Sequence, residues 1–186
     1  EAIAFRPFGT LACSSLAGMR MPGPNYLTRI VEIAERRRPA SYVEIGIAQG
    51  RSLESVRPTE LAIAIDPQPR LATIPPKAQV FAMTSDVFFA EQDLGRLLGG
   101  RPFDLAFVDG QHHHEQVLKD LRNLERFAGP DSIVLLHDTL PVSHWATSRP
   151  PTHLFWTGDV WRAAAALAEL RPDLALATIA CRPSGL

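Results

Sequence analysis

The chain has 186 residues, of which 46% are hydrophobic, enough to form one well-buried domain. Its 19 Lys and Arg residues almost balance its 20 Asp and Glu residues, so it lacks the broad basic field that attracts proteins to nucleic acids. No apolar run approaches the ~20 residues of a membrane helix, so neither nucleic acid nor a membrane is an expected partner.

The first recognisable element is a helix that follows an unassigned segment at residues 1–24. Its apolar residues recur at helical spacing: Leu27, Ile30, Val31 and Ala34. We predict a helix from about Asn25 to the arginines at 36–38, where Pro39 stops it. Cations at the end of a helix complement its dipole, so this basic run is interpreted as structural and not as a binding surface.

Five short apolar runs follow, each typical of a strand that is covered on both faces. They lie at residues 42–47, 61–66, 78–83, 104–109 and 132–137. The proline-rich residues 67–77 predict an irregular loop. A helical stripe at 115–127 is expected to end at Gly129 and Pro130, and a second helix is expected from about Asp159 to Leu170. A last strand is predicted at about 174–181.

The alternation of strands and helices predicts a doubly wound parallel sheet with right-handed crossovers. In such a sheet, ligands bind at the carboxyl ends of the strands. Polar residues stand at these predicted ends: Glu44, Asp66, Ser85 with Asp86, Asp109, and His137 with Asp138. The topology therefore predicts one cleft that these side chains share.

The most informative of these ends is VEIGIAQGRS at 43–52, a strand that runs into a glycine-opened turn and a helix start. Gly46 and Gly50 let the backbone bend sharply and approach a ligand closely. Asp66, at the end of the next strand, stands where nucleotide-binding folds place the carboxylate that holds a ribose. The alternative is that Asp66 only caps local backbone.

With these elements the chain resembles the class I methyltransferases that use S-adenosylmethionine, over about residues 42–180. The matching segments are VEIGIAQGRS, AIDPQP at 64–69, MTSDVFF at 83–89, FDLAFVDGQHHHEQVLKDL at 103–121 and IVLLHDT at 133–139. They are similar to a group of small-molecule methyltransferases in which the fourth strand ends in Asp-Gly-x-His and the fifth ends in His-Asp. The implied fold is a three-layered, Rossmann-like α/β sheet that is mostly parallel, with the last antiparallel strand missing from this chain.

The resemblance implies a donor site with these members: Glu44, Gly46, Ala48, Gly50, Ser52, Asp66, Ser85, Asp86 and Asp109. In it Glu44 and the glycines surround the methionine part and the sulfonium, and Asp66 binds the ribose hydroxyls. Ser85 and Asp86 border the adenine. A cationic sulfonium without phosphate tolerates a looser glycine turn than a pyrophosphate does and benefits from nearby acids. The G-x-G-x-x-G pattern of dinucleotide binders is absent.

Methyl transfer is an in-line displacement, in which an enzyme aligns the reactants and removes the proton of the acceptor. Asp109 is expected to orient the acceptor or to bind a metal. His112 is the first candidate for the general base and His113 the second, because imidazole titrates near neutral pH. The alternative for the run at 112–114 is a solvated helix amino terminus.

A metal site is the other role open to the strand ends. Metal-dependent O-methyltransferases of the catechol and macrolide-sugar types carry an acid after strand four and a ligand pair after strand five, and Asp109, His137 and Asp138 occupy the matching positions. Those sites use Asp-Asp or Asp-Asn as the pair, so His137 argues against Mg²⁺ and favours a softer divalent ion. The alternative is that Asp138 caps the following turn and His137 hydrogen-bonds within the cleft.

We therefore predict a single methyltransferase domain over 1–186, with an amino-terminal segment at 1–24, a donor-binding core at 42–138 and an acceptor loop at 139–158. The expected reaction is O-methylation of a small-molecule hydroxyl, on a sugar or a natural product. One alternative is a non-catalytic module that only binds S-adenosylmethionine or S-adenosylhomocysteine. A metal phosphohydrolase based on the histidines is disfavoured, because hydrolases of that kind are mostly helical.

Location and assembly complete the expectations. Cys13 and Cys181 lie far apart and belong to no metal or redox motif, which predicts reduced thiols and a cytoplasmic protein. A sheet without its last strand has an open edge, which predicts self-association as a homo-oligomer.

Overall fold

The computed structural model describes residues 7–56, 59–152 and 154–186. Its helices are α1 (Pro7–Arg20), α2 (Tyr26–Arg37), α3 (Arg51–Ser55), α4 (Ser85–Glu91), α5 (Leu94–Leu97), α6 (His114–Glu125) and α7 (Trp161–Leu170). Its strands are β1 (Ser41–Ile45), β2 (Leu61–Ile65), β3 (Ala78–Phe81), β4 (Phe103–Val108) and β5 (Ala128–Leu136). A short 3₁₀ helix spans His144–Thr147. None of the helices in the described ranges has the length and apolar character needed to cross a membrane.

The chain divides into two compact units. The sheet unit comprises Leu27–Gln111 and Leu118–Leu136. The terminal unit comprises the chain up to Tyr26, His112–Val117 and His137–Leu186. Residues 1–6 of the predicted amino-terminal segment and residue 153 of the predicted acceptor loop lie outside the described residues.

The sheet unit is built on a five-stranded sheet with the order β3-β2-β1-β4-β5, in which every neighbouring pair is parallel. Helices flank this sheet, and the predicted doubly wound α/β fold is confirmed. The strand order reverses between β1 and β4. In sheets of this kind, ligands bind beyond the carboxyl ends of the strands at such a reversal.

The central strands are buried on both faces, which explains why they appear in the sequence as continuous apolar runs. In β1 and β2, all residues after the first are buried. Fully buried side chains such as Ile63 and Phe88 belong to one core cluster with β4. Burial of each large side chain of this kind stabilises the folded state by about 1.5–3 kcal/mol. The strand ends are therefore attached to a well-packed core.

The terminal unit has its own small core, in which Cys13 and Ala17 of α1 and the following Met21 cluster with Val142. The guanidinium of Arg20 donates to the carbonyl of Val142 at 2.8 Å. Helix α1 falls within the segment that the sequence left unassigned. Both Cys13 and Cys181 are buried, and neither is in a disulfide in the described part of the chain.

Two predictions about strands are wrong. Residues 174–181 form no strand, and the first apolar side chains of this segment are not covered: Leu174 is 38% and Leu176 49% exposed. Gly129 and Pro130 do not end a helix but lie inside β5, where the register against β4 shifts. Proline is tolerated there because β5 is an edge strand. The irregular loop predicted at 67–77 and the helix ending at the arginines are confirmed.

Candidate active site

In the sheet unit, the turn after β1 is held by backbone hydrogen bonds to both neighbouring strands. The Gly46 N–H donates to the Ile65 carbonyl at 2.8 Å, and the Asp109 N–H donates to the Ile45 carbonyl at 2.8 Å. Gly46 has a φ of 86°, and a Cβ there would lie 2.2 Å from the Asp109 carbonyl oxygen. The position therefore requires glycine, and the ends of β1, β2 and β4 meet at one edge.

The second half of the turn is covered by the loop that follows β2. Gly50 has a φ of 78°, and a Cβ there would lie 2.1 Å from Cδ2 of Leu71. The Arg70 N–H donates to the Ala48 carbonyl at 2.8 Å. The predicted donor-site residues Ala48 and Gly50 are thus in contact with this irregular loop.

The carboxylate of Asp66 reaches the same turn. Its Oδ2 accepts from the N–H groups of Ile47 and Ala48, both at 2.9 Å, and its Oδ1 accepts from the Gln68 N–H at 2.7 Å. Asp66 therefore does cap local backbone, which is the alternative considered from the sequence. A carboxylate has about four acceptor positions, of which these amides use three. Its contact with a ribose stays a prediction.

Glu44 is completely buried beneath the turn. Its Oε1 accepts a hydrogen bond from the Ser52 hydroxyl, while Oε2 is buried with no hydrogen-bond partner among the described residues. Burial raises the pKa of Glu44 to about 8, although the Ser52 and Tyr42 hydroxyls favour the charged form; the carboxylates of Asp109 and Asp66 raise it further. At neutral pH Glu44 is mostly protonated, and a cation beside Oε2 would stabilise its charged form.

The predicted adenine-binding pair lies at the start of α4. Thr84 caps this helix by accepting from the Val87 N–H at 3.3 Å, and Ser85 is buried. The carboxylate of Asp86 pairs with Lys119 Nζ at 2.6 Å on the surface of the sheet unit. The role of Ser85 and Asp86 beside an adenine stays a prediction.

In the terminal unit, His112 is held by two oxygen atoms. Its Nδ1 lies 3.1 Å from Oδ2 of Asp138 and 3.2 Å from the carbonyl oxygen of Trp156. A carboxylate and a carbonyl oxygen can only accept, so Nδ1 carries the ring hydrogen. In the neutral ring the lone pair is then on Nε2, the form that a general base needs. The ring also stacks on Trp156, with centroids 5.2 Å apart.

The loop before α7 fixes the backbone of His112. The Asp159 N–H donates to the His112 carbonyl at 3.2 Å. Gly158 has a φ of 56°, and a Cβ there would lie 1.8 Å from that same carbonyl oxygen. This approach is open only to glycine.

His114 and Asp159 belong to a network that anchors the loop. His114 Nδ1 lies 2.9 Å from Oδ2 of Asp159, and Arg149 pairs with both Asp159 and Glu115. Burial alone would raise the pKa of Asp159, but hydrogen bonds from Arg149 and His114 outweigh it and lower the pKa to about 2. His113 has its ring edge-on to Trp156, at 6.2 Å between centroids. The three histidines therefore differ in their contacts: His114 belongs to the loop network, whereas His112 Nδ1 faces Asp138 and the Trp156 carbonyl.

The predicted metal ligands are distributed over both units. Asp109 belongs to the sheet unit, whereas His137 and Asp138 belong to the terminal unit. Asp138 is buried and accepts hydrogen bonds from the Ser184 hydroxyl on Oδ1 and from His112 on Oδ2. One imidazole and a carboxylate with both oxygens engaged do not form the all-oxygen set that Mg²⁺ prefers. The metal role of these residues stays a prediction, and no chemical step below depends on a metal.

Two residues of the terminal unit were missed by the sequence analysis. Ser184 lies outside every recognised motif, in an irregular segment, and Arg149 lies in a proline-rich loop. Their partners are distant in the chain, Asp138 for the first and Glu115 for the second. No local pattern signals such contacts.

Comparison with known proteins identifies the family of the chain and solved structures with a similar fold. A family model described as a methyltransferase domain matches residues 43–139, more than half of the chain. No curated protein matches the sequence. The fold is similar to that of cofactor-bound Rv0187 from MTB, with a TM-score of 0.61 and 16% identity over 92% of this chain and 81% of that one.

Two further solved structures share the fold. One is TomG, an O-methyltransferase from Streptomyces achromogenes involved in tomaymycin synthesis and solved in complex with SAM; it has a TM-score of 0.61 and 17% identity over 90% of this chain and 82% of that one. The other is the O-methyltransferase from Bacillus cereus in complex with SAH, with a TM-score of 0.56 and 10% identity over 95% of this chain and 85% of that one.

Proposed function

The chain belongs to the methyltransferase family whose model spans residues 43–139, and on that premise we propose that it transfers a methyl group from S-adenosylmethionine to a hydroxyl of a small molecule. TomG and the Bacillus cereus protein, which share the fold, are O-methyltransferases solved with SAM and SAH. The single observation that carries the reaction type is the pair of oxygens that His112 Nδ1 faces, from Asp138 and Trp156, since these oxygens favour the ring hydrogen on Nδ1.

The donor is assigned to the turn of the sheet unit on the chemistry of its residues. Glu44 offers a buried carboxyl oxygen that has no partner among the described residues, which suits a positively charged ligand group. Gly46 keeps side chains out of the turn, so a ligand can approach its backbone. Asp66 is proposed to accept a ribose hydroxyl with the acceptor position that its three amide bonds leave.

His112 is assigned as the general base that accepts the proton of the acceptor hydroxyl. S-adenosylmethionine supplies a methyl group on a positively charged sulfur. When bound, it would give this methyl group to the acceptor oxygen, with the electron pair of the carbon–sulfur bond going to sulfur, and His112 Nε2 would take the hydroxyl proton. Asp138, 3.1 Å from Nδ1, stabilises the imidazolium that forms.

A donor titration followed by a transfer assay tests the proposal. Calorimetry with S-adenosylmethionine and S-adenosylhomocysteine should show binding of both, and Asp66→Ala should weaken it. Transfer from methyl-labelled donor is then measured on a panel of sugars and phenols, with product identified by mass spectrometry. Binding without transfer to any member would favour the non-catalytic module, and no binding of either compound would overturn the proposal.

The proposal includes a cytoplasmic location and self-association. The two buried cysteines form no disulfide among the described residues, and this supports a reducing compartment. Assembly is supported only by the general tendency of open sheet edges to pair, and light scattering of the purified protein measures it.

A further inference from the structure

Ser184 occupies a fully buried position in the terminal unit, although no sequence motif contains it. Its backbone carbonyl accepts from the Leu140 N–H at 2.7 Å. The following residue, Gly185, packs so closely that a Cβ there would lie 2.8 Å from Cγ of Leu140. The backbone around Ser184 is therefore fixed, and its hydroxyl has a defined direction.

That hydroxyl donates to Oδ1 of Asp138. The other oxygen of the same carboxylate, Oδ2, lies 3.1 Å from Nδ1 of His112. A carboxylate is planar, so a donor that fixes the position of one oxygen also fixes the direction of the other. Ser184, Asp138 and His112 thus form a chain of two hydrogen bonds.

We propose that Ser184 is a positioning residue, which orients the Asp138 carboxylate so that the ring hydrogen of His112 stays on Nδ1. The inference rests on the proposed role of His112 as the base. A His112 ring with its hydrogen on Nε2 has no lone pair there and cannot accept the proton of the acceptor hydroxyl.

The Ser184 hydroxyl has a competitor for Oδ1 of Asp138, which is the ring of His137. His137 Nδ1 lies 3.4 Å from the same Oδ1 of Asp138. When the serine hydroxyl is absent, it no longer competes with His137 for that oxygen, and we expect the carboxylate to turn toward His137. The bond to His112 then lengthens, and both tautomers of its ring become populated.

The tautomer is measured directly by nitrogen-15 NMR of histidine-labelled protein, at a pH that keeps the rings neutral. The chain has 6 histidines, and the His112 signals are assigned as those lost in His112→Gln. In the wild type, Nδ1 should have the shift of a protonated nitrogen and Nε2 that of a bare one. In Ser184→Ala the two shifts should move toward each other.

Turnover provides the second readout. With an acceptor from the panel above, Ser184→Ala should lower kcat about tenfold, the effect of losing one hydrogen bond of ~1.4 kcal/mol, and leave the KM for the donor unchanged. Ser184→Thr, which restores a hydroxyl, should recover most of kcat. Ser143→Ala removes a serine hydroxyl from the same unit that does not contact Asp138, and it should match the wild type.

The outcomes separate this inference from the proposed function. A folded Ser184→Ala variant with the wild-type His112 shifts would overturn the role of Ser184, whatever its activity. Should that variant fail to fold, Ser184→Cys, of similar size and weaker donor strength, is measured in its place, with the same result decisive. A wild-type His112 with its hydrogen on Nε2 would instead remove the base assignment itself.

Discussion

The carbonyl oxygen of Asp109 lies 2.2 Å from the position that a Cβ atom on Gly46 would occupy. The optimal separation of two such atoms is about 3.5 Å, so no side chain fits between them. The two residues follow β1 and β4, the strands between which the order of the sheet reverses. Glycine is thus required at Gly46 for space as well as for backbone angle.

Gly46→Ala should destabilise the sheet unit by about 3 kcal/mol or more, because the new methyl group meets rigid backbone. The matched control is Gly99→Ala, which has a φ of 67° but nothing within 4 Å of its added Cβ. It should cost only about 1 kcal/mol, the strain of the left-handed backbone alone. Urea unfolding of both variants measures the difference, and equal costs would contradict the steric argument.

Glu44→Gln should change how the free energy of unfolding depends on pH. The pKa of Glu44 is about 8 in the folded protein against 4.5 ordinarily, so across this window the folded state keeps a proton that the unfolded chain releases. The wild type therefore loses stability as pH rises through the window, on the order of 5 kcal/mol, and a glutamine does not.

Urea unfolding at about pH 5, 7 and 9 measures this difference between the variant and the wild type. Glu44→Gln should gain relative stability with rising pH, whereas the exposed Glu91→Gln should follow the wild type throughout. A constant difference between Glu44→Gln and the wild type would show that Glu44 is already ionised at the lowest pH.

His112→Gln should abolish transfer while leaving the donor affinity within about twofold, because the donor is assigned to residues of the sheet unit. The expected loss of kcat is about a hundredfold or more, typical of a missing general base. His144→Ala, which removes an exposed histidine of the same unit, should retain full activity. Transfer at the wild-type rate by His112→Gln would refute the base assignment.

Arg149→Gln should loosen the loop that precedes α7, because it removes a cation that pairs with both Glu115 and Asp159. We expect a loss of about 2 kcal/mol and faster hydrogen exchange in the loop. Arg162→Gln is the matched control, since its Nε lies 3.9 Å from Asp159 and its side chain is 58% exposed. That change should cost under about 0.5 kcal/mol, and equal exchange in both variants would exclude an anchoring role for Arg149.

Removal of divalent metal by a chelator distinguishes the two roles considered for Asp138, which are a partner of His112 and a metal ligand. Both of its oxygens accept hydrogen bonds within the terminal unit, so we expect transfer to survive dialysis against EDTA. Activity that is lost on dialysis and restored by Mn²⁺ or Zn²⁺ would instead support the ligand set of Asp109, His137 and Asp138. Donor affinity before and after dialysis serves as the control.

The sequence was sufficient to predict the sheet, because strands buried on both faces leave continuous apolar runs. It also placed Asp66 correctly at the end of β2, beside the turn that begins at Gly46. A glycine pattern and a strand-ending acid are local features, and local features can be recognised in a single sequence.

Contacts between distant residues could not be predicted in this way. The bond between Ser184 and Asp138 joins residues 46 positions apart, and that between Arg149 and Glu115 joins residues 34 apart. The apolar pattern at 174–181 was misleading for a related reason, since a strand needs a neighbouring strand and a covering layer as well as suitable residues. The bulge at Gly129 and Pro130 likewise depends on how β5 pairs with β4.

The bulge in β5 bears on how the protein resists aggregation. Every open sheet has two outer strands whose free amides can recruit another chain into a growing ribbon. Pro130 has no N–H to offer, and the register shift around it interrupts the regular ladder in the first half of β5, where a bulge disfavours a flat template. On this flank only the stretch after the bulge, with its regular ladder, is suited to edge-to-edge pairing, and replacing Pro130 would extend the hazard along the whole strand.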